Sequence, residues 1–116
     1  MTAICVRDVV GENCITLSDG QVIYDRIYPE LSSGRSVLLD FEGVRVFASP
    51  FFNAAIGQLL RDLAPEDLNQ KLKISNLSAT GRSALRAVIR NARGYYADPE
   101  IARVVDEVLR NESLTP

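Results

Sequence analysis

The 116-residue chain has no histidine, so the commonest acid, base and metal ligand is missing. A base would have to be a carboxylate, Lys or Tyr. Asp40 and Glu42 are the closest candidate pair. Asp40 ends an apolar run, where α/β folds commonly place functional groups. It could equally cap the Glu42-Gly43 turn through its side chain. Two carboxylates without a third ligand give only a weak cation signal. Cys5 and Cys14 lack the C-x-x-C spacing of a zinc or redox site and read as small core residues. The glycines at 11, 20, 34, 43, 57, 81 and 94 stand singly, in no phosphate-binding pattern. Nothing assembles into a catalytic, metal or cofactor set, which favours a non-enzyme without cofactors.

Two stretches remain. The first is Ala48-Ser49-Pro50-Phe51-Phe52-Asn53. Ser49 suits an N-cap and Pro50 the first helical position. A hydroxyl and two Phe would then stand at a helix entry. The second is Arg82, Arg86, Arg90 and Arg93, spaced by four, four and three on one helical stripe. That stripe is either a solvated helix face or a contact for phosphates or an acidic protein. A net charge of −2 argues against a general nucleic-acid binder.

Both stretches need elements to hold them. Ala3 to Val10 and Cys14 to Leu17 read as an N-terminal hairpin around Gly11. Ser18 to Ser33 reads as a helix, its core stripe Val22, Ile23, Ile27 and Leu31, with an end or kink expected near Tyr28 because of Pro29. Val37–Asp40 and Val44–Phe47 read as strands. A helix runs from Pro50 to about Ala64, and Gly57 inside it suggests close packing or a nearby partner. Lys71–Ile74 alternates as a strand with one solvated face. Helices follow over Gly81 to Ala92 and, capped by Asp98, to about Asn111. The order favours an α/β fold with a mixed sheet. Residues 1–112 form one domain and 113–116 a frayed tail. No apolar run approaches the roughly 20 residues of a membrane span, and no secretory signal opens the chain, so a cytoplasmic protein is expected.

The stretch VLLDFEGVRVFASPFFNAAIG resembles the STAS-like family, relatives of the anti-sigma-factor antagonists. The pattern is an apolar strand, Asp40, an aromatic, Gly43-Val44, then a Ser-containing helix entry with Phe52, Asn53 and Gly57. It takes in the Lys71–Asn76 strand and the next helix, covering roughly Ser18 to Ala92. The resemblance implies a mixed sheet with helices mainly on one side. It also implies a regulatory role in bacterial signalling: docking a histidine-kinase-like ATPase that phosphorylates a Ser or Thr at the helix entry. In those relatives the entry reads Asp-Ser-Ser-Gly. Here it is Ala48-Ser49-Pro50-Phe51, without the acid and one Ser. What carries over is a partner surface of Ser49, Pro50, Phe51, Phe52 and Asn53, with Ser49 the candidate phosphorylation site. The alternatives are a small scaffold dimerising through its first or last helix, and a phosphate or nucleic-acid binder using the Arg82–Arg93 stripe.

Overall fold

The computed structural model describes residues 1–64, 68 and 70–91. Its centre is a sheet of three parallel strands: β1 (Thr2–Cys5), β3 (Val37–Asp40) and β5 (Leu72–Ser75), in the order β1-β3-β5. Register places Ile4, Leu39 and Ile74 side by side, with Thr2, Val37 and Leu72 one row below. Successive side chains alternate between faces. The Ile4 row, Val37 and Leu72 are therefore buried together, while Ala3, Cys5, Leu38, Asp40, Lys73 and Ser75 share the other, exposed to half-buried face. The buried face joins one core with Ile23, Ile27 and Leu31 and with Leu85, Val88 and Ile89, from the two long helices.

The expected N-terminal hairpin is replaced by a helix. β1 ends at Cys5 and α1 (Val6–Val10) follows directly. Val6 is fully buried, and Val9 and Val10 pack against the core, a three-and-four spacing that suits a helix turn. Gly11, at φ +92°, ends it by donating its N–H to Arg7 O. The intended hairpin partner, β2 (Asn13–Cys14), pairs in parallel with β4 (Val46–Phe47). Among the described strands every pairing is parallel, so the expected mixed sheet is corrected to a parallel one. Parallel neighbours need long crossovers, which the helices between β1, β3 and β5 supply.

Helix α2 (Leu17–Ser32) starts one residue before the expected position. Thr16 is its cap, its Oγ1 accepting from Asp19 N at 3.1 Å. The helix runs through Pro29 and closes at Ser33, past the break expected at Tyr28. Pro29 lies on the exposed face, while the Ile23, Ile27 and Leu31 stripe keeps the helix on the core.

A second helical run is built in three parts: α3 (Ser49–Phe52), a π-helical turn (Asn53–Gly57) and α4 (Gln58–Asp62). It ends at Asp62, two residues short of the expected Ala64. The β5 strand is one residue later than the expected Lys71–Ile74. Helix α5 (Ala79–Asn91) contains the expected Gly81 segment, and Ser78 Oγ accepts from Gly81 N at its start. The expected last helix and tail, with Arg93, lie outside the described residues.

Candidate functional site at the helix entry

The Ser49 segment enters its helix from an extended residue. Ala48 has φ −142° and ψ 152°, and its N–H donates to Cys14 O at 3.0 Å. This anchors the helix to β2 and makes Ala48, rather than Ser49, the cap residue. Ala48 has no side chain to cap with, and the first turn needs little capping. Pro50 carries no N–H, and Phe51 N donates to Ala48 O at 3.2 Å. Ser49 is thus the first helical residue, one position past the cap, and is exposed. The expected N-cap role of Ser49 is corrected on these grounds.

The five expected contact residues divide. Ser49, Pro50 and Asn53 are exposed. Phe51 and Phe52 are both 0% exposed and belong to the core. Phe52 stacks on Phe47 with ring centroids 5.8 Å apart and planes 5° apart, and meets Phe41 at 6.0 Å and Phe51 at 5.3 Å. Burying such a ring is worth about 1.5–3 kcal/mol. The two Phe therefore stiffen the platform beneath Ser49 and offer no surface to a partner, a correction to their expected role.

Neighbouring elements supply the apolar surface instead. Leu17, Val46 and Ile15 are 60%, 45% and 40% exposed. Val46 precedes the entry by three residues; Ile15 and Leu17 flank Thr16, the cap of α2. Between α2 and the π-turn lies an open groove of about 280 Å³ lined by Leu17, Gln21, Asn53, Ala54, Gln58 and Arg61. Gln58 Nε2 donates both to Gln21 Oε1 (2.9 Å) and to Ala54 O (2.8 Å), clasping the π-turn to α2. π-turns inside helices frequently mark functional positions. No sequence motif announces this groove, because its residues are common types drawn from two elements. The one clue was Gly20, a glycine inside a helix. A Cβ there would collide with Phe51 O and stand 2.9 Å from Ala54 Cβ. Its absence lets α2 lie directly on the entry.

The remaining candidates are structural or dispersed. Asp40 Oδ1 accepts from Glu42 N at 3.0 Å and from Asn76 Nδ2 at 2.9 Å. It caps its turn and ties β3 to the end of β5, while Glu42 is exposed. On α5, Arg82 is half-buried and its Nη1 donates to Leu77 O at 3.3 Å. Arg86 and Arg90 are exposed. The stripe is thus partly committed to the fold at its N-terminal member. Cys14 is fully buried, and burial, then the charge of Asp19, pushes its thiol up to about 12.

Among the described residues no helix is long and apolar enough to cross a membrane. No curated protein and no solved structure matches the chain. A family model does match, over residues 19–82: that of the STAS-like domain of unknown function (DUF4325). The match runs from the first turn of α2 to the first turn of α5 and so contains the Ser49 entry, every lining residue of its groove except Leu17, and two of the three strands of the central sheet. On that coverage, with its α/β fold of parallel strands under helices, the chain belongs to the STAS-like domain family.

Proposed function

We propose that this domain is a non-enzymatic regulatory module that docks a protein partner at the Ser49 helix entry. The supporting observation is the placement of Ser49, Pro50 and Asn53 on the surface, above a fully buried Phe platform and beside exposed Leu17, Ile15 and Val46. An apolar patch rimmed by polar groups on a rigid support suits protein docking. The family suggests the partner's type, a histidine-kinase-like ATPase. The exposed position of Ser49, one residue past the cap, leaves phosphorylation of its hydroxyl chemically open. The hydroxyl oxygen would attack the γ-phosphorus of ATP, ADP would leave, and the hydroxyl proton would be lost. The new charge would stand at the start of a helical run, beside the apolar docking patch.

The test is complex formation with purified histidine-kinase-like ATPases, beginning with any encoded beside this protein. Val46→Asp and Leu17→Asp, both at exposed positions, are expected to weaken the complex at least tenfold, and Ser49→Asp to weaken it too. In the presence of ATP, a single phosphate should map to Ser49 and vanish in Ser49→Ala. A complex insensitive to all three surface substitutions would move the interface elsewhere. Phosphate on another residue would reject Ser49 as the switch.

A further inference from the structure

The groove between α2 and the π-turn has a hydrogen-bonding inventory that selects its ligand. Both Nε2 protons of Gln58 are spent, on Gln21 Oε1 and Ala54 O, so Gln58 Oε1 is left as an acceptor. Gln21 Nε2 gives one proton to Asp25 Oδ1 at 2.9 Å and keeps the other. Asn53 is exposed, and its carboxamide offers a donor and an acceptor together. Arg61 is already balanced. Its Nε donates to Asp62 Oδ1 at 3.0 Å and its Nη2 to Asp62 Oδ2 at 3.5 Å. Asp62 in turn accepts from Tyr24 Oη.

An anion entering here would find one compensated guanidinium and, behind Gln21, the carboxylate of Asp25. A group that both donates and accepts, carries no charge and has aliphatic flanks fits better. Leu17 and Ala54 supply the aliphatic walls. The volume of about 280 Å³ falls just below the ordinary range for small-molecule pockets, about 300–1,000 Å³, and suits a short piece of chain.

We infer that this groove is a subsite for a main-chain amide of the partner polypeptide, with an aliphatic side chain laid on Leu17. It deepens the docking reading above and rests on it for the partner, because Asn53 belongs both to the Ser49 surface and to the groove. The Gln58–Gln21 clasp holds the π-turn so that Asn53 and Gln58 line the same opening. A phosphate or carboxylate ligand is disfavoured there, which separates the groove from any phosphate carried on Ser49.

The experiment is a titration of the ¹⁵N-labelled protein with N-acetyl-leucine methylamide, a neutral probe with two amides and one aliphatic side chain. The side-chain NH₂ signals of Asn53, Gln21 and Gln58 should shift saturably. N-acetyl-leucinate and inorganic phosphate should leave them in place. Asn53→Ala, at an exposed position, should weaken the response about fivefold, the worth of one net hydrogen bond. Gln58→Ala should abolish it, and its amide spectrum will show whether the π-turn survives. No saturable shift, or an equal response to phosphate, would overturn the assignment. Shifts of the same signals with protein concentration alone would place a second copy in the groove and overturn it as well. The titration needs no ATPase, so failure of that docking partner and failure of the groove give different results.

Discussion

Gly20 and Gly57 both interrupt helical stretches, yet substitution by alanine should move stability in opposite directions. At Gly20 a Cβ would run into the backbone oxygen of Phe51 and the methyl of Ala54, neither of which can swing away. Overpacking of this kind costs about 1–3 kcal/mol, against a helix-propensity gain of about 1. Gly20→Ala should therefore destabilise the domain, prise α2 from the Ser49 entry and widen the groove. At Gly57 the nearest neighbours of a Cβ would be Val88 Cγ1 at 3.7 Å and Phe52 O at 3.8 Å, ordinary contacts. The backbone there is right-handed helical, with φ −55° and ψ −37°. Gly57→Ala should gain about 0.5–1 kcal/mol, since nothing is displaced and the unfolded chain loses freedom. Urea unfolding of the two variants measures both signs. Destabilisation by Gly57→Ala would mean that the π-turn itself needs the glycine. The close packing expected around Gly57 from the sequence belongs instead to Gly20, because spacing within one helix does not say which face another helix will touch.

At the scale of elements, Pro29 provides the sharper test. It sits inside α2, where its ring removes the hydrogen bond to the carbonyl four residues back, yet the helix continues to Ser32. The buried stripe on the opposite side outweighs the loss. Pro29→Ala restores the donor at an exposed position and should stabilise the domain by about 1–3 kcal/mol, less any gain in unfolded-chain freedom. Thermal unfolding by circular dichroism would show it. An unchanged or lower midpoint would mean that Pro29 is relieved by a local adjustment. The same balance explains what could be read from the residues beforehand. α2, β3, β5 and α5 carry long or clean apolar periods, and they stand within one or two residues of their expected places. Val6, Val9 and Val10 fit a short strand as well as a single helix turn, and the choice rests on tertiary packing, with Val6 fully buried and Val9 and Val10 against the core. The helix entry was legible to one residue, and that residue settles whether the Ser49 hydroxyl caps or faces solvent. The partner of β2 was not legible, because two-residue strands carry no pattern and their pairing is set by where β4 happens to arrive.

For the molecule as a whole, Cys14 and Tyr24 are the described groups whose titration bears on an alkaline limit. Cys14 is moved from 9.0 to about 12 by burial and, second, by Asp19. Tyr24 is moved from 10.0 to about 12 by desolvation, then by its hydrogen bond to Asp62 and that carboxylate's charge. In each case the fold favours the protonated form, and the unfolded chain gives up the proton more readily. Their contribution is therefore complete below about pH 9, shrinks as the pH climbs past the unfolded values, and is gone near pH 12. Cys14 joins β2 to the core, and β2 in turn holds Ala48 at the start of α3, so alkaline loosening should reach the Ser49 entry early. Urea midpoints are expected to hold steady from pH 7 to 8.5 and to fall steadily above pH 9. Cys14→Ala lowers stability at every pH by leaving a small cavity, but it removes the thiol and should flatten the decline between pH 9 and 10, before Tyr24 titrates. The slope, rather than the height, of the curve carries the test. An equal slope in both proteins would mean that the thiol is reached by solvent in the native state. Iodoacetamide at pH 8.5 gives the independent check, since a thiol buried in this way should react only after unfolding.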